Sequence, residues 1–517
     1  MSTRWNETHD VVVIGSGGGG LTAAYTAGSA GLRTVVLEKS EYFGGMTAYS
    51  GACLWLPGNH IAGKTEEGDT PERALEYVRV LVGDSAPEEM QRAYVTNAAR
   101  VVEFLTQNPA LRFHHGPFPD YYDAPGRVPG GRGIFPAPLA GAELGDLAGN
   151  LRGPMAKHRF GREMDLSRLD GGRALIGRLL LAVSGLEAVK LQSGTSFTDL
   201  VIDNGRVTGV VARHGQQTTR IRAERGVVLA AGGFEANAEL RRRWQGRDSE
   251  WTNAPETHTG DAIVAGIAAG AAIAGMENAW WATNLAYPGG KSAFIVGFHG
   301  GLFVNGTGRR FANESLPYTQ MGQAIVDLEA MGEPALPVYW IFDDRFESVP
   351  CIVEVEPDRE ELRAAGLWHT ADTIEGLASR LDLPGEVLAA TVARFNSHTA
   401  SGVDEDFHRG EDEFDLFFAR GDGPNPCLVP VDRAPFHAVR IGLGDLGTKG
   451  GLVTDPDARV LTESGTAIPG LYATGNTTAS ATGNVYPGPG APIGTSMVFG
   501  FLAARHLAAG SVAPQPA

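Results

Sequence analysis

The chain has 517 residues, with 70 glycines, 30 prolines and a formal net charge of −17. Glycine stands at about twice its usual share of roughly 7%. A hydrophobic fraction of 43% leaves ample core material, so neither disorder nor a fibrous repeat is expected. Sixty acidic against 43 basic residues disfavour nucleic acid and anionic membranes, which are bound through basic charge.

Cys53, Cys351 and Cys427 are scattered, with no CxxC pair. That pattern fits a reduced compartment and argues against disulfides, a zinc ribbon or an iron–sulfur cluster. No metal is expected; the adjacent His114 and His115 lack an acid or cysteine at ligand spacing. The opening decapeptide MSTRWNETHD carries no apolar signal segment. The longest apolar stretch, Ala262 to Met276, is too short to span a bilayer. These features lead to the expectation of a soluble, cytoplasmic protein without a transmembrane segment, of two to four domains.

In chain order, Asp10 to Gly15 reads as a buried strand that runs into GSGGGG, residues 15–20. A helix is expected over Leu21 to Ala30, stopped by Gly31, and a second strand over Thr34 to Leu37, ending at Glu38. This is a β-turn-α-β unit with Gly15, Gly17 and Gly20 in G-x-G-x-x-G spacing. Gly15 permits the turn, Gly17 admits a pyrophosphate, Gly20 lets helix and strand approach, and Glu38 accepts from a ribose. The free N–H groups of the helix start suit phosphate, so Gly18 and Gly19 join the expected cofactor contacts.

Residues 39–59 are rich in small and hydroxyl residues and suit a second backbone cradle, with Lys39, Gly45, Thr47, Ser50 and Gly51 as expected cofactor contacts. Residues 198–212 form an expected β-hairpin closed by Asn204-Gly205. VVLAAGGF (227–234) reads as a strand ending in a glycine pair, which places Gly232 at the ligand. Residues 260–275 read as a small-residue helix packed in a core, and Trp280-Trp281 open a more aromatic region. Helices are expected at Thr373–Arg380 and Pro384–Asn396, and the acidic run Asp404–Asp415 is expected to be merely solvated. IPGLYATGN (468–476) reads as a strand returning to the first unit, with Gly475 and Asn476 at the cofactor. The N-terminal unit is thus completed from the middle and the far end of the chain, the layout of a discontinuous FAD domain carrying an insert.

GGMTAYSGA, VVLAAGGFEAN, GRRFANES, TVARFN and the C-terminal glycine block together resemble the fumarate reductase/succinate dehydrogenase flavoprotein superfamily. FPDYYDAPG (118–126), GRRFANESLPY (308–318), GDLGTKGGL (444–452) and GNVYPGPGAPIG (483–494) narrow the resemblance to the bacterial 3-ketosteroid delta-1-dehydrogenases. The resemblance implies an α/β (α+β) fold: a discontinuous Rossmann-type FAD-binding domain, 1–275 and 435–517, with an inserted α+β catalytic or cap domain at 276–434. It further implies FAD and a 3-ketosteroid substrate, with the electron acceptor unidentified. No histidine lies in residues 39–59, so the FAD is expected to be non-covalent.

Delta-1 desaturation removes a proton from carbon 2 and a hydride from carbon 1 beside a ketone. The site must supply a base, an oxyanion hole and an apolar slot. By resemblance, the Tyr486 hydroxyl and the Gly490 N–H hold the carbonyl oxygen, with Gly490 and Ile493 also at the cofactor, and Tyr318 is the base. An unperturbed tyrosine ionises near 10, so a phenolate at pH 7 costs about 4 kcal/mol and needs a hydrogen-bonding helper. The tandem DYY supplies it as Tyr121 or Tyr122, Tyr121 being the first choice. Phe294, Ile295 and Phe298 are candidate walls of the slot or core residues. Arg309 and Arg310 keep a small acid open as a substrate. Tyr49, Pro492 and Thr495 depart from the residues expected in the steroid enzymes. The alternatives are a 4,5-desaturating ketosteroid dehydrogenase, a fumarate-type enoate reductase, and a flavin-binding electron-transfer subunit.

Overall fold

In the computed structural model, which describes residues 4–62, 68–248, 251–353 and 355–510, strand β1 (Glu7–Ile14) leads into helix α1 (Gly18–Ser29) and strand β2 (Thr34–Leu37). Met1, Ser2 and Thr3 of the opening decapeptide lie outside the described residues. The chain divides into two compact units, one of residues 1–248, 254–279 and 447–517, the other of residues 249–253 and 280–446.

The first unit is built on a mixed sheet with a parallel centre. Its order is Arg459–Leu461, Ala467–Ala473, Gln217–Leu229, β1, β2 and Val189–Gln192. β1 is central and parallel to both neighbours, and Val11, Val12 and Val13 are fully buried. A continuous apolar run is what a strand covered on both faces requires. The hairpin Thr195–Asp203/Arg206–His214 turns at Asn204 (φ 49°) and Gly205 (φ 75°), and its second strand joins the sheet through Gln217–Leu229. The strand read from VVL therefore begins ten residues earlier, at Gln217. The C-terminal helix, Ala491–Ala509, lies close against α1: a methyl group at Gly500 would stand 2.3 Å from the Gly19 carbonyl oxygen.

The expected helix over 260–275 is shorter, Asp261–Ala268. Gly270 at φ 92° turns the chain out of the helix, and Ile273–Ala274 pairs instead with Gly451–Leu452. Only one face of this helix is in the core: Ala262 and Ile263 are buried, whereas Val264 is 47% exposed.

The second unit holds a seven-stranded sheet in which Val338–Asp343 and Phe436–Thr448 are adjacent and antiparallel. Strand Ala279–Ala286 is buried along its whole length, Trp280 and Trp281 included. Helices Ile374–Leu381 and Gly385–Ser401 cover the sheet through Leu377, Leu388, Val392 and Phe395. Thr373 caps the first, its Oγ1 accepting the Gly376 N–H at 3.0 Å, and Pro384 precedes the second. Among the described residues, no helix is long and apolar enough to cross a membrane.

Candidate active site

The cofactor cradle lies in the first unit. Gly15 (φ 98°) and Gly20 are demanded by the fold, since a methyl group at Gly20 would lie 2.2 Å from the Gly15 carbonyl oxygen. Gly17 is different: a methyl group there would touch only Thr47 Oγ1, at 3.7 Å, and its φ is −68°. Neither strain nor packing keeps Gly17 bare. It caps α1 without a side-chain hydrogen bond, and the first turn holds no acidic residue. A helix start of bare backbone is what a diphosphate fits.

Two loops close around this helix start. Thr47 Oγ1 accepts the Gly18 N–H at 3.1 Å, and Ser16 Oγ accepts the Gly44 N–H at 3.0 Å. Glu38 ends β2, its Oε2 accepting from Ser16 N–H (3.3 Å) and Ser16 O–H (2.5 Å), its Oε1 from Ser40 N–H (2.9 Å). Lys39 Nζ donates to Thr259 Oγ1 and Asp261 Oδ2, each at 2.7 Å. Ser50 O–H donates to the Thr47 carbonyl at 2.7 Å, and Gly51 is exposed. The Gly232 carbonyl accepts from Thr477 O–H at 2.8 Å. Gly475 and Asn476 open a short turn beside it, and Ile493 stands against Gly18. Tyr49 is covered by the Arg152 guanidinium, 5.5 Å from its ring centroid.

Tyr121, Tyr486 and Gly490 are also brought together in the first unit. The Tyr121 and Tyr486 rings meet edge to face at 5.3 Å, and Tyr486 Oη accepts the Gly490 N–H at 3.3 Å. Gly490 (φ 84°) precedes the C-terminal helix, and a methyl group on it would strike the Cys53 carbonyl oxygen at 1.8 Å. Tyr121 N–H donates to the Pro487 carbonyl at 3.1 Å. The Tyr77 hydroxyl donates to the same carbonyl at 2.9 Å and accepts the Tyr122 N–H at 3.0 Å. One hydroxyl thus ties the DYY tandem to the NVYPGPG loop. Burial and the Asp120 carboxylate push the Tyr77 phenol up, so it stays protonated and able to donate.

Beneath this pair lies an ionic group that sequence reasoning missed. Arg132 is fully buried and donates to Asp69 (2.8 Å) and Asp120 (2.7 Å); Asp120 also accepts from Trp55 Nε1 at 2.8 Å. The guanidinium lies 5.1 Å from the Trp55 ring and 5.3 Å from the Tyr77 ring. Asp120 stands beside the tandem in sequence; nothing in the sequence marks Arg132 or Asp69 as its partners.

Tyr318 is in the second unit, the first residue of helix Tyr318–Ala330 and 6% exposed. The Phe294 ring meets it edge-on at 4.7 Å and 89°. Phe298 instead packs on Phe303 (4.9 Å) and Trp340 (5.0 Å), and Ile295 is fully buried, so both belong to the core. Arg309 is exposed, whereas Arg310 Nη2 is bound to Glu314 and Asp404, each at 2.8 Å. Arg310 is therefore a structural cation.

The acidic run is not merely solvated. Asp404 and Asp415 are 1% and 2% exposed. They are buried because Arg310 pairs with Asp404, while Asn313 Nδ2 and Gly410 N–H donate to Asp415 at 2.8 Å each. His398, Asp404 and Asp406 converge, with Arg310 and Arg394 balancing their charge. Hydrogen bonding to Arg394, helped by His398 and opposed by burial, holds the Asp406 carboxyl at about 2, below its ordinary 3.8. A depressed folded-state value adds stability above the unfolded-state pKa and loses it as pH falls through the folded value. The melting-temperature advantage of wild type over Asp406→Asn is therefore expected at pH 5 and should vanish near pH 2. An advantage unchanged across that range would show that the ion pair contributes nothing.

A family model described as an FAD binding domain matches residues 10–493. The chain is 39% identical over 520 residues to the 3-oxosteroid 1-dehydrogenase of Rhodococcus opacus, covering 98% of this chain and 99% of that one. It is 36% identical over 543 residues to the 4-oxocyclohexanecarboxylate 2-dehydrogenase of Sinomonas cyclohexanicum, covering 97% and 93%. Among solved structures it is similar to the 3-ketosteroid delta1-dehydrogenase of Sterolibacterium denitrificans in complex with 1,4-androstadiene-3,17-dione. That match has a TM-score of 0.91 and 33% identity, covering 98% of this chain and 100% of the other.

Proposed function

The chain belongs to the FAD binding domain family and, within it, to the family of the 3-oxosteroid 1-dehydrogenases, and from that premise we propose that it desaturates the 1,2 bond of 3-ketosteroids. When bound, FAD supplies the acceptor for the hydride that leaves carbon 1. The bare helix start at Gly17, the cross-tied loops at Gly18 and Gly44, and Glu38 are the residues that hold it, without a covalent link to residues 39–59. The observation that carries the catalytic reading is the convergence of Tyr486 Oη and the Gly490 N–H at 3.3 Å, with the Tyr121 ring beside them. In this arrangement the Gly490 N–H is given to Tyr486 Oη; a carbonyl oxygen that entered between them would take both that N–H and the Tyr486 O–H, at the start of a 19-residue helix, which suits an oxygen that becomes an enolate. Tyr318 takes the proton from carbon 2; Tyr121 assists the base, and Phe294 offers the substrate an apolar edge. The protein acts in the cytoplasm and hands its electrons to an acceptor still to be identified.

Anaerobic mixing with a 3-keto-4-ene steroid is expected to bleach the bound flavin and to yield the 1,4-diene. A flavin that stays oxidised would overturn the steroid reading. A product desaturated at the 4,5 position from a saturated ketosteroid would move the reaction site. The Sinomonas relative is named for dehydrogenating a ring ketone that bears a carboxylate. Arg310, committed to Glu314 and Asp404, does not favour a small acid here. Faster bleaching by 4-oxocyclohexanecarboxylate than by the steroid would reverse that preference.

A further inference from the structure

Glu235 and His258 form a buried ionisable pair that the proposed reaction does not use. Glu235 is fully buried and His258 is 7% exposed, with His258 Nδ1 3.3 Å from Glu235 Oε2. The other carboxylate oxygen, Oε1, accepts the Thr448 N–H at 2.7 Å, so Oε2 is left to the imidazole. Burial by itself would raise the Glu235 carboxyl; the neighbouring His258 imidazole outweighs it and holds the group below its ordinary range. The backbone fixes the histidine too: its N–H donates to the Pro255 carbonyl at 3.0 Å and its carbonyl accepts the Ala236 N–H at 2.9 Å.

The position of the ring is the informative part. A methyl group at Gly45 would stand 3.7 Å from His258 Nε2 and 3.7 Å from the Cα of Gly17. A methyl group at Gly232 would be driven into the same ring at 2.6 Å. The imidazole thus presents Nε2 to the bare backbone of Gly17 and Gly45, where the helix start takes a diphosphate. The other charged pair of this segment, Lys39–Asp261, is tied to itself at 2.7 Å.

We propose that His258 is an FAD-binding side chain, its Nδ1 set against Glu235 Oε2 at 3.3 Å and its Nε2 donating to the diphosphate of the cofactor. The inference needs only that FAD binds, and it stands whatever ketone is oxidised. The test measures dissociation constants of FAD, ADP and riboflavin for the flavin-free full-length protein, with folding checked by circular dichroism. His258→Asn is expected to weaken FAD and ADP about tenfold, the scale of a lost charge-assisted hydrogen bond, and to leave riboflavin unchanged. Glu235→Gln keeps the shape of the pair and is expected to weaken both by about threefold through the loosened imidazole. FAD and ADP constants within twofold of wild type in a folded His258→Asn overturn the proposal. A loss confined to riboflavin also overturns it, because the contact would then be with the flavin ring. Should His258→Asn fail to fold, Glu235→Gln decides: unchanged FAD and ADP binding there refutes the assignment.

Discussion

Tyr318→Phe is expected to lower kcat about 10³-fold, within the range that a positioned general base contributes, while FAD content and thermal stability stay at wild-type levels. Tyr318 begins a 13-residue helix and meets Phe294 edge to face at 4.7 Å, a contact that phenylalanine reproduces. What the variant loses is one hydroxyl, and with it the proton acceptor proposed for carbon 2. Stopped-flow flavin bleaching reports this step directly, since the first half-reaction ends when the substrate has been oxidised. A rate within tenfold of wild type would remove Tyr318 as the base. It would leave the family and the cofactor untouched, because neither rests on that hydroxyl. Tyr121→Phe and Tyr122→Phe under the same assay separate the two residues of the tandem, only the helper of the base being expected to matter.

Arg132→Met is expected to destabilise the first unit by about 3–5 kcal/mol, the cost of breaking a buried ion pair by deleting one partner. Methionine fills much of the volume between Trp55 and Tyr77. The carboxylates of Asp69 and Asp120, both 1% exposed or less along their side chains, would nevertheless lose their common cation. A shift of this size lowers the melting temperature by roughly 10 °C. Adding Asp69→Asn and Asp120→Asn to Arg132→Met should recover part of the loss, since the triple variant no longer buries unpaired charge. Loss of less than about 1 kcal/mol in the single variant would mean that the network is not what anchors the tandem.

The motifs that could be read from the sequence are those whose partners are near in the chain. The βαβ start is legible because its strand, glycine spacing, helix and acid all lie within Asp10 to Glu38. The Asn204-Gly205 turn is legible because left-handed backbone favours those two residues. The Thr373 helix start follows from capping chemistry of the same local kind, whereas Pro384 precedes its helix without a cap hydrogen bond. Length is harder: the 260–275 segment has helical composition throughout, yet Gly270 and a two-residue strand pairing end its helix at Ala268.

The limits of that local reading are plainest among the charges. Read locally, Arg310 is open to an acid and Asp404 to Asp415 are solvated, because a side chain's charge says nothing of its partner's address. Arg310 finds Asp404 94 positions away, Arg409 finds Glu314 95 away, and Arg132 reaches Asp69 63 away. Local sequence is enough for the backbone chemistry: where glycine is bare, where chains turn, and that a dinucleotide is to be cradled. It takes the fold to show which charges are buried in pairs, that Phe298 belongs to the core while Phe294 faces Tyr318, and that Tyr77 ties Tyr122 to Pro487. The physical reason is that backbone geometry follows from a few neighbouring residues, whereas a buried charge is tolerable only beside a partner that the fold brings from far along the chain.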